Sequence, residues 1–453
     1  MEWLTIWDLI LYLPYLAVIY LIASSIQNSN ISENPVYAYY KKGMMVKIAG
    51  GFIFCCIYCF YYGGGDSIAY WFSCKPLNNM MARNFSVYLD IMAGNLSKSN
   101  FWMFDGSTGY PEYWKDALSF STVRFTSIFY LLTVKSYFTC TLLVSALTYA
   151  GMWRLFLLFT REFPGLEKQF AVSILYFPSV VFWGSGIMKD TYTLSAACWF
   201  TYSAYMVFIR REKVLPNTFW LIATTYVMIS FKPYIFVALL PGTLIWVSFK
   251  RIQSINNPVF RILIAPVIIT IFLVGGSFVF GSLSSNLKQY SSVEGVLNKA
   301  ATNQQDLKQE YYHGNSFDIG KFDGSISSVV TKFPLAITAG LFRPFIFEAR
   351  NPVMLISGIE NTFMLLFTLG FLFQVGSIKV IKYILKEPLL LFSLVFAVFF
   401  AFGVGLSTSN FGALVRYKIP CIPFYLSSLY IMRHYFEKSE KSVESKRSEV
   451  ITT

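Results

Sequence analysis

The apolar residues of this chain come in solid runs of about 16–24, parted by short polar stretches, and that pattern leaves few folds open. A helix rises 1.5 Å per residue, so runs of this length match a bilayer core of about 30 Å. A β-barrel would need alternating segments of about ten residues instead of unbroken apolar blocks. A water-soluble globule is excluded by composition, because 55% of the 453 residues are hydrophobic and only 13% are charged. So little charge does not cover the surface of a chain this long. The expected fold is all-α: a polytopic transmembrane helical bundle of about eleven spanning helices. The candidate spans are 3–23, 45–62, 136–158, 169–184, 190–209, 217–233, 235–249, 259–282, 354–376, 388–407 and 419–434. They form one transmembrane domain, 1–435, followed by a polar tail, 436–453, whose composition predicts disorder. The first run follows no cationic segment and no small-residue cleavage site, so it is expected to remain as an uncleaved helix.

The formal net charge of +13 sits mainly in the short loops. Nucleic acid is rejected as a partner, since these charges serve topology first and anionic lipid second. One set of loops carries Lys41, Lys42 and Lys47, then Arg161 and Lys168, then Arg210, Arg211 and Lys213. It continues with Lys250, Arg251 and Arg261, with Lys379, Lys382 and Lys386, and with the tail cations Lys438, Lys441, Lys446 and Arg447. These loops alternate through an eleven-span arrangement, so the positive-inside rule makes them cytoplasmic. The N-terminus then lies outside and the C-terminus in the cytoplasm. Two large segments fall on the outer face, about 63–135 and 283–353. The first holds aromatic stretches, FWMF at 101–104 and YPEYW at 110–114, that suit helices lying in the interface. The second begins polar and ends in a moderately apolar stretch, 326–342, expected as a further interfacial helix.

Nearly every polar residue embedded in apolar sequence falls at the outer end of a helix. YYGGGDSIAY places Asp66, with Tyr70 one turn later, just past the second span; IMKDTY places Lys189 and Asp190 in the turn between the fourth and fifth. FKPY puts Lys232 at the end of the sixth span. RPFIFEAR puts Arg343, Glu348 and Arg350 before the ninth, and VRYKIP puts Arg416 and Lys418 at the eleventh. Any one of these has a structural explanation, since cations at helix ends snorkel to headgroups and three glycines make a turn. Cations in short outer loops nevertheless oppose the positive-inside bias, and their number there points to an anionic partner.

That cluster suits a lipid-linked phosphate. Arg and Lys would hold a phosphate or pyrophosphate as it leaves, and Asp66 would act as general base on an attacking hydroxyl. Glu360 is a further intramembrane carboxylate with an expected packing role. The two histidines, His313 and His434, are assigned to opposite faces, so no His-based triad or metal site is formed. Cys55, Cys56 and Cys59 share an apolar helix with nothing to complete a ligand set, and they read as small apolar filler. There is no Walker lysine loop and no dinucleotide fingerprint. The residues name no certain cofactor, and a divalent metal stays open.

With these residues in view, the chain resembles the C-type (GT-C) integral membrane glycosyltransferases, which use polyprenyl-phosphate sugars outside the cytoplasm. In that family a long first outer loop opens with an acidic base, which implies that role for Asp66 in 63–135. A second acidic motif at the next outer turn corresponds to Asp190 in SGIMKDTYTL, and a late large loop corresponds to 283–353. The extra early helix 3–23 and the Ser after Asp66 depart from the family pattern. FPSVVFWGSGIMKD, LFRPFIFEARN and RYKIPCIPF also resemble bacterial exopolysaccharide and O-antigen assembly proteins, including Wzy-type polymerases, over most of residues 45–433. The resemblances imply a bacterial inner (cytoplasmic) membrane protein. They also imply Asp66 and Asp190 as catalytic residues and Tyr70, Lys189, Lys232, Arg343, Glu348, Arg416 and Lys418 as substrate contacts. Its partners would be a polyprenyl-phosphate or pyrophosphate sugar, a glycan acceptor and membrane lipids. The alternatives are polymerisation of lipid-linked repeat units and, from a different class, transport of a lipid-linked glycan.

Overall fold

The computed structural model describes residues 4–254, 293–307, 316–320 and 326–452. Among them the chain is helical throughout, apart from loops and one isolated bridge between Ser316 and Asn410. The expected span 259–282 lies outside the described residues. Among the described residues, six helices are long and apolar enough to cross a membrane: Ile6–Asn30, Pro35–Tyr61, Tyr137–Glu162, Val214–Phe231, Pro352–Val375 and Pro388–Ser407. Hydropathy treats 1–435 as one domain, whereas the backbone divides into two compact units. The first comprises 1–159 and 175–236, the second 160–174 and 237–453.

In the first unit, α1 (Ile6–Asn30) starts where the Asp8 carboxylate accepts the Thr5 N–H at 3.0 Å, satisfying a donor that the helix leaves open. α2 (Tyr40–Cys56) continues through a π turn, Ile57–Tyr61, to the three glycines. Residues 63–135 then build α3 (Asp66–Arg83), α4 (Phe85–Ala93), α5 (Lys98–Phe101) and α6 (Ala117–Leu132). α7 (Tyr137–Glu162) follows.

The expected span 169–184 is not one helix. α8 (Glu167–Phe170) passes through a π turn, Ala171–Tyr176, and the chain breaks at Phe177 before α9 (Pro178–Trp183). Pro178 causes the break, because its ring pushes the preceding residue out of the helical region; Phe177 sits at φ −64°, ψ 120°. α10 (Lys189–Ala204), α11 (Val214–Phe231) and α12 (Pro233–Gln253) complete this stretch, with Lys232 and Pro233 separating the last two.

Lys47 is a second correction. Hydropathy places it among the cytoplasmic loop cations, but it is buried within α2 and its ammonium donates to the carbonyl of Gly184, just past α9. Helix C-termini leave carbonyls without partners, and a cation is well placed to cap one. Phe54, one face of α2 further on, stacks on Tyr58 at 4.2 Å and packs against Phe182 and Trp183. The ring fills the space over Gly186 so fully that an added Cβ there would lie 2.3 Å from it.

The second unit contains α13 (Val293–Asp306), α14 (Ile326–Phe342), α15 (Pro352–Val375), α16 (Ser377–Lys386) and α17 (Pro388–Ser407). α18 (Phe411–Tyr417) and α19 (Ile422–Thr452) close it. α14 covers the stretch expected to lie in the interface. It packs lengthwise on α17 at backbone distance: a Cβ on Gly405 would meet the Ala336 carbonyl oxygen at 1.9 Å, and one on Gly340 the Ala401 carbonyl oxygen at 2.0 Å. Small residues allow this approach, and dispersion and Cα–H contacts reward it where lipid removes the hydrophobic drive between helices. α19 carries on from the apolar stretch into the polar segment 436–452, for which composition suggests disorder; Arg433 and Glu437 pair one turn apart at 2.8 Å near its start.

Gly405→Ala should therefore force α14 and α17 apart and destabilise the second unit by about 1–3 kcal/mol. Gly403→Ala, two residues away with open space around it, should be neutral or stabilise by up to about 1 kcal/mol. Thermal unfolding of the two variants in the same detergent decides the matter, and equal midpoints would contradict the close crossing.

Candidate functional site

The candidate site of the first unit starts from the turn between α2 and α3. Gly63 and Gly65 take φ +68° and +114°, values that glycine adopts without strain, and they reverse the chain so that Asp66 opens α3. A carboxylate in the first turn of a helix is favoured by the unpaired N–H groups there. Asp66 is half-buried, and its Oδ1 accepts the Tyr113 hydroxyl at 3.1 Å. Tyr113 holds φ +60°, which costs a residue with a Cβ about 1–2 kcal/mol, and its ring packs on Tyr70 at 4.7 Å.

The loop that presents Tyr113 is tied down along α3. Asn79 Nδ2 donates to the Thr108 carbonyl at 3.1 Å, and the Glu112 N–H to Ser73 Oγ at 3.0 Å. At the far end Arg83 pairs with Asp105. The Ser107 hydroxyl, then the Arg83 guanidinium, then backbone N–H groups hold the Asp105 carboxyl well below the usual carboxylate range.

The same loop leads into the second cluster. Asp116 caps α6, its Oδ1 accepting the N–H groups of Leu118 and Ser119 at 3.1 and 3.2 Å. The Ser119 hydroxyl donates to Asp116 Oδ2 and accepts from Lys189 Nζ at 2.8 Å. Lys189 and Asp190 open α10. Asp190 is 1% exposed, and Lys232, at 5%, reaches it with Nζ 2.5 Å from Oδ1. The Lys232 ammonium also lies 5.9 Å from the centre of the Tyr234 ring. Asp66, Tyr70, Lys189, Asp190 and Lys232, separated by more than 160 residues of chain, thus belong to one connected set of contacts in this unit.

Two residues beyond Asp190, Tyr192 lines an apolar cavity of about 260 Å³ between α6, α7, α10 and α11. Phe125, Phe129, Leu147 and Val227 form its walls, and Trp199 and Trp220 stack at 4.0 Å in its lining. Arg154 sits over Trp199 and Tyr202, at 5.8 and 5.2 Å from the ring centres.

The remaining expected contacts belong to the second unit. Arg343 pairs with Glu348, Nε lying 3.0 and 3.2 Å from its two carboxylate oxygens. Its guanidinium rests 4.6 Å from the Phe317 ring centre and 5.3 Å from that of Phe411. Lys418 is buried, and its three donors meet the Leu341 and Arg343 carbonyls, both at 3.0 Å, and Asn361 Oδ1 at 2.6 Å. Asn361 in turn donates to the Pro344 carbonyl at 3.1 Å. Lys418 therefore holds the end of α14 in place. Arg416 lies beside Tyr417, 5.1 Å from the ring centre, and Glu360 is buried in α15 as expected.

Sequence reasoning missed Tyr113, Asp116 and Ser119. YPEYW reads as an interface anchor, and the signal that marks Asp116 is its place as an N-cap ahead of ALSFS. Among the described residues no group of three or more His, Cys, Asp or Glu is placed to hold a metal ion.

Replacing Lys232 by Met should cost about 3–5 kcal/mol, because it leaves a buried carboxylate without its cation. Adding Asp190→Asn to that variant should recover part of the loss in a thermal-unfolding cycle, whereas additive losses would show that the two residues act independently. Compared with protein-family models, characterised proteins and solved structures, the chain matches none.

Proposed function

We propose that this chain is a membrane glycosyltransferase. It would move a sugar from a polyprenyl-phosphate or pyrophosphate donor to a glycan acceptor on the outer face of a bacterial inner membrane. The observation that carries this reading is the connected set in the first unit: a half-buried carboxylate, lysines one loop away, and an apolar cavity beginning two residues beyond Asp190.

In this reading Asp66 takes the proton from the acceptor hydroxyl as that oxygen attacks the anomeric carbon. The bond to the phosphate oxygen breaks, and its charge is met by Lys189. Tyr113 orients Asp66, and the Tyr70 ring fixes Tyr113. Lys232 is committed to Asp190, so it stabilises the turn that aims Lys189 and contributes its charge at longer range. The apolar cavity suits part of the isoprenoid chain. Within the proposal the fold is a GT-C-like arrangement of about eleven spans, with the N-terminus outside and the C-terminus in the cytoplasm.

The test uses the purified chain in liposomes with radiolabelled lipid-linked sugars. One added sugar per acceptor is expected. Asp66→Asn should reduce transfer by about 10²–10⁴-fold with membrane insertion unchanged. Tyr113→Phe should lose about 10–100-fold, the worth of one hydrogen bond to a charged group. Full activity in Asp66→Asn would remove the assignment. A ladder of products would favour polymerisation of lipid-linked units, and labelled lipid crossing unchanged would favour transport.

A further inference from the structure

The helix α16 (Ser377–Lys386) has three differently constituted sides. At 100° per residue, Val380, Tyr383 and Ile384 share one side. Val380 is buried, the Tyr383 hydroxyl lies 3.2 Å from Ser439 Oγ, and its ring stacks on Tyr435 at 5.8 Å, so this side is held by α19. A second side carries Ile378, Ile381 and Leu385, spaced three and four apart, which are 73%, 55% and 57% exposed. The third carries Lys379, Lys382 and Lys386, all exposed, with no acidic residue in the helix.

Two features of the fold say what meets these sides. α16 joins α15 to α17 through single residues, Gly376 and Glu387, and both of those helices are apolar and long enough to cross a membrane. Such short links keep α16 at the membrane surface. The preceding helix α15 also exposes apolar residues, with Leu366 and Phe373 63% and 87% exposed. Glu387, the carboxylate that follows α16 in the chain, is turned to another partner: the Tyr435 hydroxyl donates to its Oε2 at 2.7 Å, and burial raises its pKa.

We infer that α16 is a binding site for anionic phospholipid, with Ile378, Ile381 and Leu385 sunk among the acyl chains and Lys379, Lys382 and Lys386 on the headgroup phosphates. An apolar ridge beside a basic one is the arrangement by which a helix lies in an interface. Each lysine there adds attraction to anionic lipid but little to neutral lipid. The site lies apart from the cluster in the first unit and does not rest on the proposed transferase activity.

The experiment is native mass spectrometry of the full-length protein from detergent doped with equal phosphatidylglycerol and phosphatidylcholine. The wild type should retain phosphatidylglycerol in preference. The combined variant Lys379→Gln, Lys382→Gln, Lys386→Gln should lose that preference by roughly tenfold or more, while Lys98→Gln, an exposed cation on another helix, should keep it. Because all three positions are exposed, the variant is expected to fold, and an unchanged melting temperature checks that it has. Equal retention of both lipids by the wild type, or undiminished preference in the triple variant, overturns the inference. So does a lipid-independent dimer abolished by Ile381→Asn, which would make the ridge a protein contact.

Discussion

A lysine buried among apolar helices has to find oxygen, and among the described residues three find it where helices break. Lys47, Lys232 and Lys418 are each 5% exposed or less. An ammonium in such surroundings costs several kcal/mol unless good acceptors surround it. The Gly184 carbonyl becomes available because α9 stops at Trp183, and those of Leu341 and Arg343 because α14 stops at Phe342. A helix end in the membrane leaves carbonyls that lipid does not satisfy. Cation and helix end are each unfavourable alone and compatible together, which accounts for Gly- and Pro-rich breaks standing opposite lysines.

The same economy shapes the candidate site. Asp190 lies at the start of α10 and meets Lys232 between α11 and α12, so one ion pair fixes the ends of three helices. With that turn set, Lys189 reaches the Ser119 hydroxyl at the cap of α6, and the loop preceding that cap delivers Tyr113 to Asp66. The strained backbone at Tyr113 persists because Ser73, Asn79 and Arg83 on α3 pin the loop that leads into it.

Particular elements show how far the sequence is legible. The apolar runs at 136–158 and 388–407 correspond within a few residues to Tyr137–Glu162 and Pro388–Ser407, since a long apolar block has one stable state in lipid. The run at 169–184 reads as one apolar block because hydropathy averages over Pro178, where the backbone breaks. The stretch 326–342 was legible as a helix, but Gly340 and Gly405 make it a partner of α17, and a packing partner cannot be read from one helix alone.

By itself the sequence determined a helical membrane protein with its chemistry-bearing residues gathered at helix ends, because hydropathy and charge act through local windows of the chain. It singled out Asp66, Asp190 and the cations around them. Only the tertiary structure decided which cations the fold already employs. Lys47 and Gly184 are 137 residues apart, Lys418 and Asn361 are 57 apart, and Lys232 and Asp190 are 42 apart. A charge's partner is set by which helices pack together, and that depends on close side-chain fit over the whole bundle rather than on any stretch of sequence.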